Sequence, residues 1–112
     1  MKFNYIYGKQ AEQYDYLYIP KAFMKEEPFK TMTASAKIMY AVLMEKQQKS
    51  VEMGWIDAKD HIYILADAKA IGAKLNWDET EVASAIEELE RFGLAEIAEK
   101  ADAIKLYLKR FV

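Results

Sequence analysis

No cysteine occurs in the 112 residues, which excludes disulfides, cysteine-bearing zinc sites and a thiol nucleophile together. Histidine occurs once, as His61 in "DAKDH", a loop pattern without the helical i, i+4 spacing of a metal pair, so no metal is expected. Glycine is scarce, four in all, and none falls in a G-x-x-x-x-G-K-[ST] phosphate loop or a G-x-S-x-G nucleophile elbow. Adjacent acids such as Glu26/Glu27 and Glu87/Glu88 point to different helix faces, so no acid–base dyad is formed. The pattern predicts neither an enzyme nor a bound cofactor. Long apolar runs are missing as well: the longest, Ile38–Met44, has seven residues, whereas a bilayer needs about 20. The opening "MKFNYIYGKQAEQ" has no apolar h-region, so the expectation is a cytoplasmic protein without membrane attachment.

What is present is a globular balance, 53% hydrophobic and 30% charged, of a size that suits one domain over residues 1–112. The net charge of −2 conceals an asymmetry. Residues 1–50 hold eight lysines and five acids, a balance of +3, and residues 51–112 hold eight basic and thirteen acidic groups, a balance of −5. A pI near 5.5 lacks the basic bias usual in nucleic-acid binders.

The aromatic residues crowd the N-terminus. Phe3, Tyr5 and Tyr7 are followed by Tyr14, Tyr16 and Tyr18, whose alternation in "YDYLYI" is that of a strand. Residues 1–19 therefore read as an N-terminal β-arm. Its aromatic face packs on the domain or on a second subunit, or alternatively offers a stacking platform for bases. "IPKAFMKEEPF" predicts a short helix with Pro20 at its first position, stopped before Pro28. Thr31 or Thr33 caps an amphipathic helix of about 15 residues with Ala36, Met39 or Tyr40, Leu43 and Met44 inward. Met24, Met32, Met39, Met44 and Met53 read as gap-filling core. "SVEMGWIDAKD" is expected to be a loop around Gly54, and "HIYIL" a short strand.

Asp67 caps a helix over "AKAIGAKL", Asn76 turns the chain, and Asp78 with Glu81 starts a third helix in the manner of a capping box. Val82, Ile86 and Leu89 fall on its inner face, and Gly93 ends it. "LAEIA" and "AIKLYLKRF" then form a hairpin around "EKAD". The order predicts an α+β fold, a winged helix-turn-helix, mostly helical, with the helix-turn-helix over residues 66–93 and a β-hairpin wing over 94–112. Between Asp78 and Phe92 the third helix carries six carboxylates against the single Arg91, an unusual face to set against a polyanion.

Several ordered motifs resemble one family. "YIYGKQAEQYDYLYIPKAF", the helix "FKTMTASAKIMYAVLMEK", "GWID" at Gly54–Asp57, "IYI" at Ile62–Ile64, "ELERFGLAEI" and the closing "LYLKRF" are similar to the N-terminal domain of plasmid replication initiator A proteins of Gram-positive bacteria, the RepA_N family. The resemblance covers nearly the whole chain. It implies a winged-helix domain that binds repeated sites in double-stranded DNA at a plasmid or mobile-element origin, usually as a homodimer. It also implies a separate C-terminal domain, absent from these residues, that engages host replication proteins.

This sequence departs from the family pattern at two places. The recognition helix "WDETEVASAIEELERFG" lacks the usual lysines, and the wing tip is "EKADA", with Lys100, instead of a basic glycine-rich loop. With Val82, Ile86 and Leu89 inward, Glu79, Thr80, Ala83, Ser84 and Glu87 fall outward. Thr80 and Ser84 are then candidates for base or phosphate contact. Phosphate neutralisation would fall to Lys37, Lys69, Lys74, Lys100, Lys105 and Lys109, with Arg110 beside them. Tyr5, Tyr7, Tyr14, Tyr16 and Tyr18 would form the dimer arm. The alternative is a winged-helix domain of the same descent that has lost DNA reading and serves protein–protein association.

Overall fold

In the computed structural model, which describes residues 2–8 and 15–110, Thr33 rather than Thr31 opens the long helix. Its Oγ1 accepts the backbone N–H of Ala36 at 3.2 Å, which starts α2, Ala34–Met53. α2 runs a turn beyond its expected end. Ser50, fully buried, donates its hydroxyl back to the Lys46 carbonyl at 3.3 Å, and Gly54 closes the helix with φ +75°. A left-handed cap of this kind suits glycine, so "SVEM" belongs to the helix and the loop begins after it.

Before α2 stand α1, Ala22–Lys25, and a 3-10 turn, Glu27–Phe29. Pro20 precedes α1 rather than opening it: its carbonyl accepts from the N–H of Phe23 at 3.1 Å, with Lys21 as N-cap. Phe23 is wholly buried, edge-on to Phe29 and Tyr40 with ring centroids 5.0 Å away in each case. Burying such a ring contributes about 1.5–3 kcal/mol, which anchors a short helix with little stability of its own.

β1, Ile64–Ala66, is shorter than "HIYIL" suggested, because Asp60 takes φ +67° in the preceding turn and leaves only an isolated Ile56–Ile62 bridge. α3, Ala68–Leu75, and α4, Glu79–Arg91, follow, and then β2, Ala95–Lys100, and β3, Ile104–Leu108. The three strands form an antiparallel sheet in the order β1–β3–β2. Ile64 pairs with Leu106 and Ala95 with Leu108. Ile64, Ala66 and Leu106 turn inward onto Met39, Leu43, Ile71, Val82, Ile86 and Leu89, all buried in one cluster. Helix, strand, two helices and a two-stranded wing is the winged-helix arrangement expected from the sequence.

Two further expectations fail. Only Met32 and Met39 of the five methionines are in the core, whereas Met24, Met44 and Met53 are exposed. Met44 lies beyond the edge of the α2 stripe, and Met24 and Met53 fall on the last turns of α1 and α2 and stay largely open to solvent. The described part of residues 1–19 forms no strand, although Tyr16 and Tyr18 do keep to one side with ring centroids 6.3 Å apart. An extended segment becomes a strand only when a neighbour takes its backbone hydrogen bonds, and the three-stranded sheet takes in neither part of it. No helix among the described residues is long and apolar enough to cross a membrane.

Candidate nucleic-acid interface

The helix-turn-helix is set by two aspartates and one glycine. Asp67 Oδ1 accepts from the N–H groups of Lys69 and Ala70 at 3.0 and 3.2 Å, which fixes the start of α3. Asn76 ends α3 with φ +59°, and the N–H of Trp77 donates to the Gly72 carbonyl at 2.8 Å. The turn folds back so tightly that any Cβ at Gly72 would overlap the Trp77 carbonyl oxygen. Asp78 Oδ1 then accepts from the Glu81 N–H at 2.8 Å and opens α4. Glu81 therefore supplies its backbone to this cap.

α4 buries Val82, Ala85, Ile86 and Leu89 and leaves Glu79, Thr80 and Ser84 exposed. The remaining carboxylates are mostly occupied with the fold. Glu88 reaches the N-terminus of α2, where its two oxygens accept from the Thr33 N–H and Oγ1–H, each at 2.7 Å. Glu90 accepts the N–H of Ile97 at 2.8 Å, where the β2–β3 register slips between Ile97 and Glu99 and frees that amide. Glu87 lies 2.9 Å from Lys100 Nζ, and that hydrogen bond and charge hold its carboxyl below the usual range. Glu79 and Glu81 occupy the first turn of α4, where the helix dipole favours negative charge. The acidity of α4 is therefore chiefly structural, a role that helical spacing cannot show because the partners lie on α2 and on the wing.

The proposed lysines do not form one set. Lys69 and Lys74 are exposed near opposite ends of α3, Lys74 beside the turn into α4, and Lys100 extends from the wing to Glu87 of α4, which engages it. Lys105 extends over the Tyr63 ring on the outer face of the sheet, 4.6 Å from its centroid. Lys109 pairs with Glu96 at 3.2 Å, and its carbonyl accepts from Tyr40 Oη–H at 3.0 Å. Lys37, half-buried in the first turn of α2, lies 3.9 Å from the Met24 sulfur. Two lysines that sequence reasoning passed over, Lys46 and Lys49, line a pocket of about 120 Å³ with Lys74, between α2 and α3. Their i, i+3 spacing in "EKQQK" was the available signal; the approach of Lys74 was not.

Of the arm, Tyr5 and Tyr18 are more than four-fifths exposed and Tyr7 and Tyr16 more than half, while Tyr14 lies outside the described residues. Behind the sheet, Asp57 accepts from the N–H groups of Lys59 and His61 at 2.8 and 2.9 Å and from Tyr107 Oη–H at 2.9 Å. These bonds, the His61 amide foremost, lower the Asp57 pKa, and the same contact raises that of Tyr107. His61 itself is 3.7 Å from Asp57 Oδ2 through Nδ1. Among the described residues no three His, Asp or Glu side chains gather as a metal site would require.

Residues 15–112 match the family model described as the replication initiator protein A (RepA) N-terminus. A search of curated proteins found no match. Among solved structures, one described as "N-Terminal domain of DNA binding protein" is 24% identical with a TM-score of 0.77, covering 99% of this chain and 86% of that one. "Structure of MDR initiator" has the same identity and TM-score over 96% of this chain and 86% of its own. "Structure of Rep-DNA complex" again gives 24% and 0.77, over 97% and 85%. At this level of identity the likeness is one of fold.

Proposed function

Because this chain belongs to the family of replication initiator protein A N-termini, we propose that it is the DNA-binding domain of a plasmid or mobile-element replication initiator. It acts in the cytoplasm by binding and not by catalysis, and it engages origin repeats as a dimer. The observation that carries this reading is the exposed face of α4, which offers Thr80 and Ser84 beside a rigid, capped turn while Glu87, Glu88 and Glu90 are neutralised or hydrogen-bonded within the fold. The objection raised by an acidic recognition helix is thereby reduced to Glu79 and Glu81 in its first turn. The neighbour described as a Rep–DNA complex supports the same use of this fold. The exposed tyrosines of the arm supply apolar area for a second copy.

Duplex carrying whatever direct repeats are found within or beside the gene, titrated with the protein by fluorescence anisotropy, tests the proposal. Binding is expected at about 50 mM salt and should weaken steeply towards about 200 mM, as counterion release requires. Sedimentation should show a dimer that loses stability when Tyr16 and Tyr18 are replaced by serine. No complex at micromolar protein in low salt would leave protein–protein association as the function of the domain.

A further inference from the structure

Resting on that reading, we propose that Lys46, Lys49 and Lys74 form a cradle for DNA backbone phosphate, so that α2 and α3 carry the electrostatic grip that a wing usually supplies. The wing is poorly placed for it. Lys100 and Lys109 are paired with Glu87 and Glu96, and Lys105 covers Tyr63. The tip is the short turn Ala101–Ala103, without glycine.

The α2–α3 side has the opposite character. Lys46 and Lys49 come from one face of α2 and Lys74 from the last turn of α3. They converge over a small pocket whose other lining residues are Leu17, Val42, Ile71, Leu75 and one carboxylate, Glu45. No ion pair within 4 Å engages any of the three among the described residues. Glu45 and Asp67 are near enough to favour the charged form of Lys46, but burial and the two neighbouring lysines outweigh them and lower its pKa. Three ammonium groups held together on a partly apolar floor repel one another, and an anion placed among them relieves that repulsion in a partly desolvated site. The position fits a phosphodiester. Lys74 stands just before the Asn76–Trp77 turn, so a backbone on the cradle would pass the first turn of α4, where Thr80 is exposed.

The test is a salt titration of origin-repeat duplex binding for the wild type, Lys46→Gln/Lys49→Gln/Lys74→Gln and Lys59→Gln, with folding followed by circular dichroism. The slope of log K against log salt should shrink by about 0.9 for each cradle lysine removed per protomer, with a loss of at least about tenfold in affinity near 100 mM salt. Lys59→Gln, in the turn behind the sheet, should leave the slope unchanged. Since Lys46 is half-buried, the exposed pair Lys49→Gln/Lys74→Gln is run alongside and should show about two-thirds of the effect. Wild-type binding with an unaltered slope in both cradle variants would overturn this inference alone. Absence of wild-type binding would instead overturn the function from which it proceeds.

Discussion

Replacing Gly72 with alanine sets helix propensity against tertiary fit. Gly72 lies inside α3, and in an isolated helix the change to alanine should stabilise by about 0.5–1 kcal/mol. In this protein the added methyl would meet the Trp77 carbonyl oxygen, with Val82 Cγ2 3.5 Å away. The obstacle is backbone and not the far end of a flexible side chain, so the Asn76–Asp78 turn must move. Overpacking of this kind costs about 1–3 kcal/mol, and the 2.8 Å hydrogen bond from Trp77 N–H to the Gly72 carbonyl would be strained as well, for about 1 kcal/mol more. After the propensity gain is subtracted, Gly72→Ala should destabilise by about 1–3 kcal/mol. That corresponds to a fall in Tm of roughly 5–15 °C for a domain of this size. Thermal and urea unfolding followed by circular dichroism would measure it. DNA binding by the folded fraction should weaken too, because α4 is displaced against α3. A variant as stable as the parent, or more so, would refute the close approach of the turn to α3.

Glu88→Ala removes both acceptors from Thr33 and unties α4 from the start of α2. With the pair partly open to water, the expected loss is about 1–2 kcal/mol by chemical denaturation. Glu88→Gln, which keeps one acceptor oxygen, should lose roughly half as much, and the Ala effect should shrink when Thr33 is already replaced by valine, which lacks the hydroxyl donor. For Asp57 the folded pKa lies below the ordinary value. Its contribution is therefore in place above the unfolded aspartate pKa and is lost as pH falls through the depressed folded one. Asp57→Asn should flatten the decline in stability on the acid side of about pH 4. An acid-unfolding profile identical to that of the parent would show that the Lys59, His61 and Tyr107 bonds do not favour the charged form.

The local signals in the sequence were specific where the chain closes its own hydrogen bonds. Asp67, Asn76, Asp78 and Gly93 marked the ends of α3 and α4 because caps and left-handed turns use side chains and conformations available within a few residues. Val82, Ile86 and Leu89 were readable as the inner face of α4 because a helix repeats every 3.6 residues. The end of α2 was not, since the turn through Met53 has exposed Val51 and Met53 and depends on buried Ser50 and the Gly54 cap. The methionines misled for a related reason: composition cannot say which of them another element covers.

The candidate interface was legible as a position and not as a charge distribution. The sequence by itself determined the winged-helix order, the limits of α3 and α4, and Thr80 and Ser84 as outward residues, because each follows from local geometry. Only the tertiary structure decided what the charges do. It sent Glu88 to Thr33 across 55 residues, Glu90 to a bulged amide and Glu87 to Lys100, and it brought Lys74 to Lys46 and Lys49. An ionic group acts on whatever lies within a few ångströms, and in a folded chain those neighbours come from elements far apart in sequence.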